Sequence, residues 1–393
     1  MRNSLSRRFS FLVAMATVVM MAVPTAAISA PPTDDTARTV AGVEFIGEVL
    51  FPTGTEFDGT EIGGLSSITY DSARNAYYTL SDDQGNRDTG DPVRYYTLDI
   101  DIADGTFDDG DVTFVDVTTM FERNRTPFAP DGLDPEGLVL ATNGQLFMSS
   151  EGNILTDPII DPFIRRYNLK GVATGAMPIP SKYIPNGVDW GVRQNLSFES
   201  LNMTPDGRGL VTAGEGALFQ DGPKSTFTNS SLARMLTYDL NRRQPVSEFV
   251  YEVGPWAEPS AIFGVNGIVE VLPIDNFGTT LVMERSFSVL GTGGGGTGNV
   301  VTIYETSNVG ATDVLAVDAL YDGGSPIPLT TVSKDMIFAF DSLGIPIDNI
   351  EGMTFGPVLP DGRQSLVIVS DNNFNSFQFT QFIVLALDIT DAD

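Results

Sequence analysis

A chain of 393 residues with 51 acidic and 22 basic residues has a formal charge of −29, and such a surface repels nucleic acid and anionic membranes, so neither is an expected partner. It contains neither cysteine nor histidine. That excludes disulfides, Ser-His-Asp and Cys-His nucleophile systems, and zinc sites built on nitrogen or sulfur, and leaves acid–base work to Asp, Glu, Tyr, Lys, Arg or metal-bound water.

Residues 1–30 read as a secretory signal peptide. Arg2, Arg7 and Arg8 form the basic start, Phe9 to Val23 the apolar run, and Thr25, Ala26 and Ala27 the small residues after Pro24. Pro31 obstructs cleavage after Ala30, so the cut is expected after Ala26 or Ala27. An uncleaved anchor is the alternative, although the run is short for a spanning helix. Arg7-Arg8 is only a weak match to twin-arginine export, because the apolar pair follows one place late. Without this leader the chain has 19 basic and 51 acidic residues and a formal charge of −32. The mature protein is expected to be exported, periplasmic or extracellular, with no stable membrane span. Residues 31–41 read as a flexible lead-in and 42–393 as a single domain; oligomeric state is left open.

From there the chain repeats one unit five times. Its first strand reads GGLSSITYD at Gly63–Asp71, EGLVLATNG at Glu136–Gly144, ESLNMTPDG at Glu199–Gly207, NGIVEVLPIDNFG at Asn266–Gly278 and EGMTFGPVLPDG at Glu351–Gly362. Asn143-Gly144, Asp206-Gly207 and Asp361-Gly362 suit tight hairpins, because glycine accepts positive φ. A second strand follows and ends on an acid: Asp82, Glu151, Glu215, Glu284 or Asp371. Third strands start at Arg94, Phe163, Ala233, Asn299 and Phe382, and a more variable fourth follows units one to four. The fifth unit has no room for one. Gly42–Pro52, ahead of unit one, supplies it. The expected fold is therefore all-β, a β-propeller of five four-stranded antiparallel blades closed by an N-terminal outer strand, with six blades as the fallback.

Two segments fall outside the repeat. Ser333–Gly344 carries apolar residues at helical spacing and ends in Gly, which predicts a short helix before blade five. Gly291–Gly298 formally contains GxGxxG but lies between strands without a following Lys-Ser/Thr, so it reads as a hairpin loop, not a phosphate cradle.

In an antiparallel sheet the start of strand one lies beside the end of strand two. Glu136, Glu199, Asn266 and Glu351 are thus expected beside Glu151, Glu215, Glu284 and Asp371, with Gly63 beside Asp82, and all converge on one mouth of the central channel. Such a ring either caps backbone N–H groups or holds a hard cation, Ca²⁺, that offsets the mutual repulsion. The Asp-rich stretch Leu98–Asp111 departs from EF-hand spacing and reads first as a solvated loop.

The segments DPEGL, SSEGN and FIRRYNL, then SFESLNMTPDGRGLVTAGEGAL, then LGIPIDNIEGMTFGPVLPDGRQSLVIVSDNNF resemble the phytase-like family, "esterase-like activity of phytase", from about Gly42 to Ile389. The resemblance implies a propeller related in architecture to Ca²⁺-dependent alkaline phytases, whose acidic channel mouth holds Ca²⁺ that binds phosphate and activates water. The positions matching the acidic motifs are Glu136, Glu151, Glu199, Glu215, Glu284, Glu351 and Asp371. The Lys-rich phosphate cradle that the resemblance implies is not matched, since lysines are few beyond residue 30 (Lys170, Lys182, Lys224, Lys334); Arg165, Arg166, Arg193 and Arg285 are the nearest candidates for it, and a surface role is the expectation for each. The leading expectation is a Ca²⁺-dependent hydrolase of small phosphoesters or carboxylesters, with Glu199 and Glu351 as the catalytic carboxylates. The rivals are a non-catalytic propeller that binds a protein, glycan or small ligand around structural Ca²⁺, and a lactonase-like propeller.

Overall fold

The structure is a computed structural model, and it describes residues 36–85 and 90–392; the expected signal peptide lies outside the described residues. Short runs of alternating apolar and polar residues favour strands, and Gly-containing turns fold each strand back on the last. Gly144, Gly207 and Gly362 sit in these turns at φ of +77°, +69° and +92°, a region glycine enters at no steric cost.

Among the described residues the long strands form five four-stranded antiparallel sheets, the blades of a propeller. From inside to outside, blade one is Leu65–Asp71, Ala76–Ser81, Arg94–Ile100 and Val112–Thr119. Blade two is Pro135–Leu140, Leu146–Ser150, Phe163–Tyr167 and Ala173–Met177. Blade three is Asn202–Met203, Gly209–Ala213, Ser231–Asp239 and Gln244–Val253. Blade four is Gly264–Pro273, Thr279–Ser288, Asn299–Ser307 and Ser333–Ala339. Blade five is Asn349–Val358, Gln364–Asp371, Phe379–Asp391 and the N-terminal Arg38–Pro52. Closure by the N-terminal strand is as expected, with Pro52 opposite Phe379 and Arg38 opposite Asp391.

That strand begins at Arg38, so part of the expected flexible lead-in is sheet. Its first residues are anchored: Arg38 N–H donates to Asp275 (2.9 Å), and Val40 N–H to Glu305 (2.7 Å). The predicted helix at 333–344 is corrected as well. Ser333–Ala339 is the outer strand of blade four, paired with Asn299–Ser307, and only Phe340–Leu343 turns helically, as one 3-10 turn. Apolar residues at helical spacing were outweighed by an open sheet edge that needed a partner, the usual override of local pattern by tertiary pairing.

Gly293–Gly296 makes one tight turn. Thr292 and Gly293 donate their N–H groups to Glu258 (2.7 and 2.9 Å), and Gly294 to Asp341 (2.9 Å). A nest of N–H groups of this kind suits an anion, and the protein's own carboxylates occupy it.

Each blade covers one apolar face of the next. Leu65, Tyr96, Val367 and Phe382 fill the layer between blades five and one. Tyr95, Leu138 and Met148 lie between one and two, and Phe147, Leu201 and Leu236 between two and three. Met235, Ile268 and Val282 lie between three and four, and Met283, Ile303, Ile350 and Leu385 between four and five. Each such side chain contributes about 1.5–3 kcal/mol on burial, so the ring is held by wedge-shaped cores rather than by its channel.

Candidate functional site

Second strands run towards the same face from which first strands start, so their ends gather at one mouth of the channel. A cavity of about 770 Å³ opens there. Six of the seven expected metal-site acids line it: Glu136, Glu151, Glu199, Glu215, Glu351 and Asp371. Asp82, Asp134 and Asp348 add three more, all buried.

Glu284 is the exception. Side chains alternate along a strand, and that of Glu284 is turned away from the cavity. It accepts hydrogen bonds from Tyr251 Oη (2.6 Å) and Asn266 Nδ2 (3.0 Å), the expected blade-four neighbour, and pairs with Lys334. Lys334 in turn lies over the rings of Tyr251 and Tyr304. This carboxylate is a structural tie.

The next residue, Arg285, faces the cavity in its place. Its Nη1 donates to Glu351 Oε1 (2.6 Å) and to Asn349, and its Nη2 lies 3.4 Å from Glu215 Oε1. The expectation of a surface role is therefore wrong, since the residue is buried. The signal was legible in the small residue before the acid: Ser81-Asp82, Ser150-Glu151, Gly214-Glu215 and Ser370-Asp371 align with Glu284-Arg285. Gly267 pairs directly opposite Arg285, and a Cβ there would stand 2.2 Å from Glu215 Cγ, so glycine makes the room in which Glu215 and Arg285 meet.

Asp134 was passed over although it opens the DPEGL motif. Asp134, Glu136 and Glu151 each offer one carboxylate oxygen, and these three lie within 4.8 Å of one another. Gln84 donates to Asp134, and Ser197 N–H to Glu151, which fixes both carboxylates. In the Leu98–Asp111 loop, Asp101, Asp104 and Asp111 accept the N–H groups of Ala103, Thr106 and Asp108. Leu98–Ile100 still belongs to the third strand of blade one, and the turns that follow bury Ile102 and Phe107, so the stretch is only in part the solvated loop expected.

So many buried acids disturb one another's ionisation. Burial first, then Glu199 and Asp134, holds Glu136 well above the usual carboxylate range. Glu151 is raised by burial and then by Asp134 and Glu215, and Glu199 by burial and then by Glu151 and Glu215. Burial also raises Glu215 against the pull of Arg285. Glu351 is pushed up to about 8 by burial, with Arg285 opposing and Asp371 adding to the rise. Burial disfavours the Arg285 charge, yet Glu351, Glu215 and Glu199 outweigh it and keep the guanidinium protonated.

Fold and site together define a five-bladed propeller with a buried cup of carboxylates at the channel mouth. The chain belongs to the phytase-like family, described as "esterase-like activity of phytase", which matches residues 60–374. It is 27% identical over 154 residues to an uncharacterized secreted protein of Arthroderma benhamiae, a match that covers 32% of this chain and 28% of that protein. Among solved structures it is similar to a GH43_12 protein retrieved from a capybara gut metagenome, with 12% identity, 82% of this chain and 51% of that one covered, and a TM-score of 0.39. It is also similar to the periplasmic gluconolactonase of Pseudomonas aeruginosa, with 10% identity, 85% and 90% covered, and a TM-score of 0.32. Likenesses of that size carry no functional argument.

Proposed function

We propose that this chain is an exported ester hydrolase acting on small phosphoesters or carboxylesters, with a hard divalent cation, Ca²⁺, held by Asp134, Glu136 and Glu151. The observation that carries the reading is the convergence, among the described residues, of nine carboxylates and one base on a single cavity. The donor set fits such an ion: it is all oxygen, three of the oxygens lie close together, and burial and mutual repulsion raise Glu136 and Glu151, a repulsion that a bound cation would offset. When bound, such an ion polarises the ester oxygen and makes water more acidic.

The remaining chemistry belongs to the chain. Glu351 retains a proton near neutrality and is oriented by Arg285 and by Asn349, which donates to it (2.8 Å). It serves as the acid. Glu199, beside Glu151 and Glu215, takes the proton of the attacking water once positive charge offsets those neighbours. Water oxygen bonds to the acyl or phosphoryl centre, the ester bond breaks, and the alcohol leaves with the proton of Glu351. Exchange with solvent resets the pair. The leader-like residues 1–30 and the likeness to a secreted protein support export.

The test pairs rate with stability. Glu199→Gln and Glu351→Gln keep shape but neither charge nor proton transfer, and each is expected to lose about two to four orders of magnitude in rate on the best ester. Millimolar Ca²⁺ is expected to raise the melting temperature and EDTA to lower it. Variants that melt lower yet keep wild-type specific activity would make the ring structural and the chain a binding module.

A further inference from the structure

The cavity is not uniform around its axis. Every lining residue from blades one to three is polar: Asp82, Gln84, Asp134, Glu136 and Glu151, then Asn195, Glu199 and Glu215. All the apolar side chains of the lining, Phe263, Val265, Phe287 and Phe377, come from blades four and five. Val265 and Phe287 stand opposite each other across two strands, and the Phe263 and Phe287 rings are 6.5 Å apart between centroids. Phe263 is 51% exposed and Phe377 is 92% exposed, beside Ile262, which is also exposed. The backbone holds this wall in place. Ser260 Oγ accepts the Phe263 N–H (3.2 Å), Phe263 carbonyl accepts the Val289 N–H (3.0 Å), and Asn375 accepts the Phe377 N–H (3.1 Å).

Large exposed aromatic side chains at the rim of an acidic cup are costly in water unless a ligand covers them. Neither do they suit a polyphosphate. Among the described residues the lining holds one base, Arg285, and its guanidinium is already committed to Glu351, Asn349 and Glu215. Among the described residues a substrate carrying several phosphates finds that one committed partner and nine carboxylates.

Resting on the hydrolase reading, we infer that Phe263, Phe287 and Phe377 form an apolar subsite that selects esters with an aromatic or bulky apolar group, held against blades four and five while the ester faces the carboxylates. The substrate class is therefore an amphiphilic monoester and not a polyphosphorylated sugar or inositol. Phe263 and Phe377 determine specificity and take no part in bond breaking.

The experiment compares 1-naphthyl with methyl esters, as acetates and as phosphates, and with inositol hexakisphosphate, for wild type, Phe263→Ala and Phe377→Ala. Naphthol is the better leaving group, but that advantage cancels when the naphthyl-to-methyl ratio of kcat/KM is compared between wild type and variant. The ratio is expected to fall about tenfold in each variant, the scale set by loss of one apolar contact, with melting temperatures unchanged because both side chains are largely exposed. Binding of 1-naphthylphosphonate, measured by calorimetry, is expected to weaken in parallel. Turnover with an unchanged ratio, or a preference for inositol hexakisphosphate, overturns the subsite and leaves the hydrolase reading standing. Absence of turnover with Phe263-dependent naphthylphosphonate binding upholds the subsite and removes the hydrolase. Absence of both removes both.

Discussion

Replacing Arg285 by Met takes away the base that pairs with Glu215 and Glu351 and leaves both carboxyls buried beside it. Breaking a buried pair from one side costs about 3–5 kcal/mol where the orphaned carboxylates are ionised. The loss is expected to be largest at pH 8 and to shrink towards pH 5, where Glu351, pushed up to about 8, holds its proton and leaves no charge to orphan; denaturant titrations at the two pH values measure this. The intact protein obeys the same logic. Glu351 has a folded value near 8, above its ordinary 4.5, so it contributes stability that is full below about pH 4.5 and lost as pH rises through 8. In EDTA the melting temperature is therefore expected to fall between pH 5 and pH 8.5, and added Ca²⁺ to flatten the fall. A melting temperature that climbs across that window would contradict a cup of neutral, buried carboxyls.

Among elements, the insertion at 308–332 does for blade three what the N-terminal strand does for blade five. It leaves blade four between Asn299–Ser307 and Ser333–Ala339 and crosses to the edge of Gln244–Val253, where Val314 N–H donates to Glu248 carbonyl (2.8 Å) and Val332 N–H to Val250 carbonyl (2.9 Å). An exposed edge is thereby covered. A buried ionic network locks the crossing. Arg234 bonds Asp221 (2.6 and 2.9 Å) and Glu248 (2.6 Å), and Tyr183 donates to Glu248 (2.6 Å). Lys182 Nζ donates to Glu248 (2.9 Å) and to the carbonyls of Val314, Leu315 and Val317. Glu248→Ala leaves the Lys182 ammonium buried with carbonyl partners alone and Arg234 with Asp221 as its remaining carboxylate, so a loss of about 3 kcal/mol is expected, read by denaturant unfolding. Proteolysis should then cut first within 308–332. A variant with wild-type stability would mean that the apolar cluster of Val250, Val314 and Leu320 holds the insertion alone.

At the scale of the whole molecule, the ring closes through hydrogen bonds between chain ends. Arg38–Pro52 runs along Phe379–Asp391 with shifts in register after Val40 and Phe45. Gly47 meets blade one at this closure, and a Cβ there would stand 1.8 Å from Phe107 carbonyl oxygen. Gly47→Val is therefore expected to open the closure and lower the melting temperature by several degrees. Deleting residues 36–52 should go further and expose the Phe379–Asp391 edge, with aggregation measurable by light scattering. A monodisperse deletion variant with an unchanged melting temperature would show that four complete blades and an open fifth suffice.

Blade number, closure by the N-terminal strand and the convergence of acids were legible in the residues themselves. Each unit repeats the same alternation, the same Gly turn and the same terminal acid, and repetition averages out local ambiguity. Where a unit departed from the repeat, sequence misled. Glu284 and Arg285 are adjacent, and a register step of one residue turns a side chain to the opposite face, so composition alone chose the acid while the ladder of Thr279–Ser288 put the base in the cavity. Ser333–Ala339 had the spacing of a helix and became a strand because blade four lacked its outer edge. Tertiary structure alone decided that Asp134 joins Glu136 and Glu151, and that Phe263 and Phe377 share one wall with Phe287. Asp134, Glu136 and Glu151 meet through the pairing of the first two strands of blade two, whereas Phe377 comes from the loop of blade five and reaches the same cavity as Phe263 and Phe287 only because blade five packs on blade four.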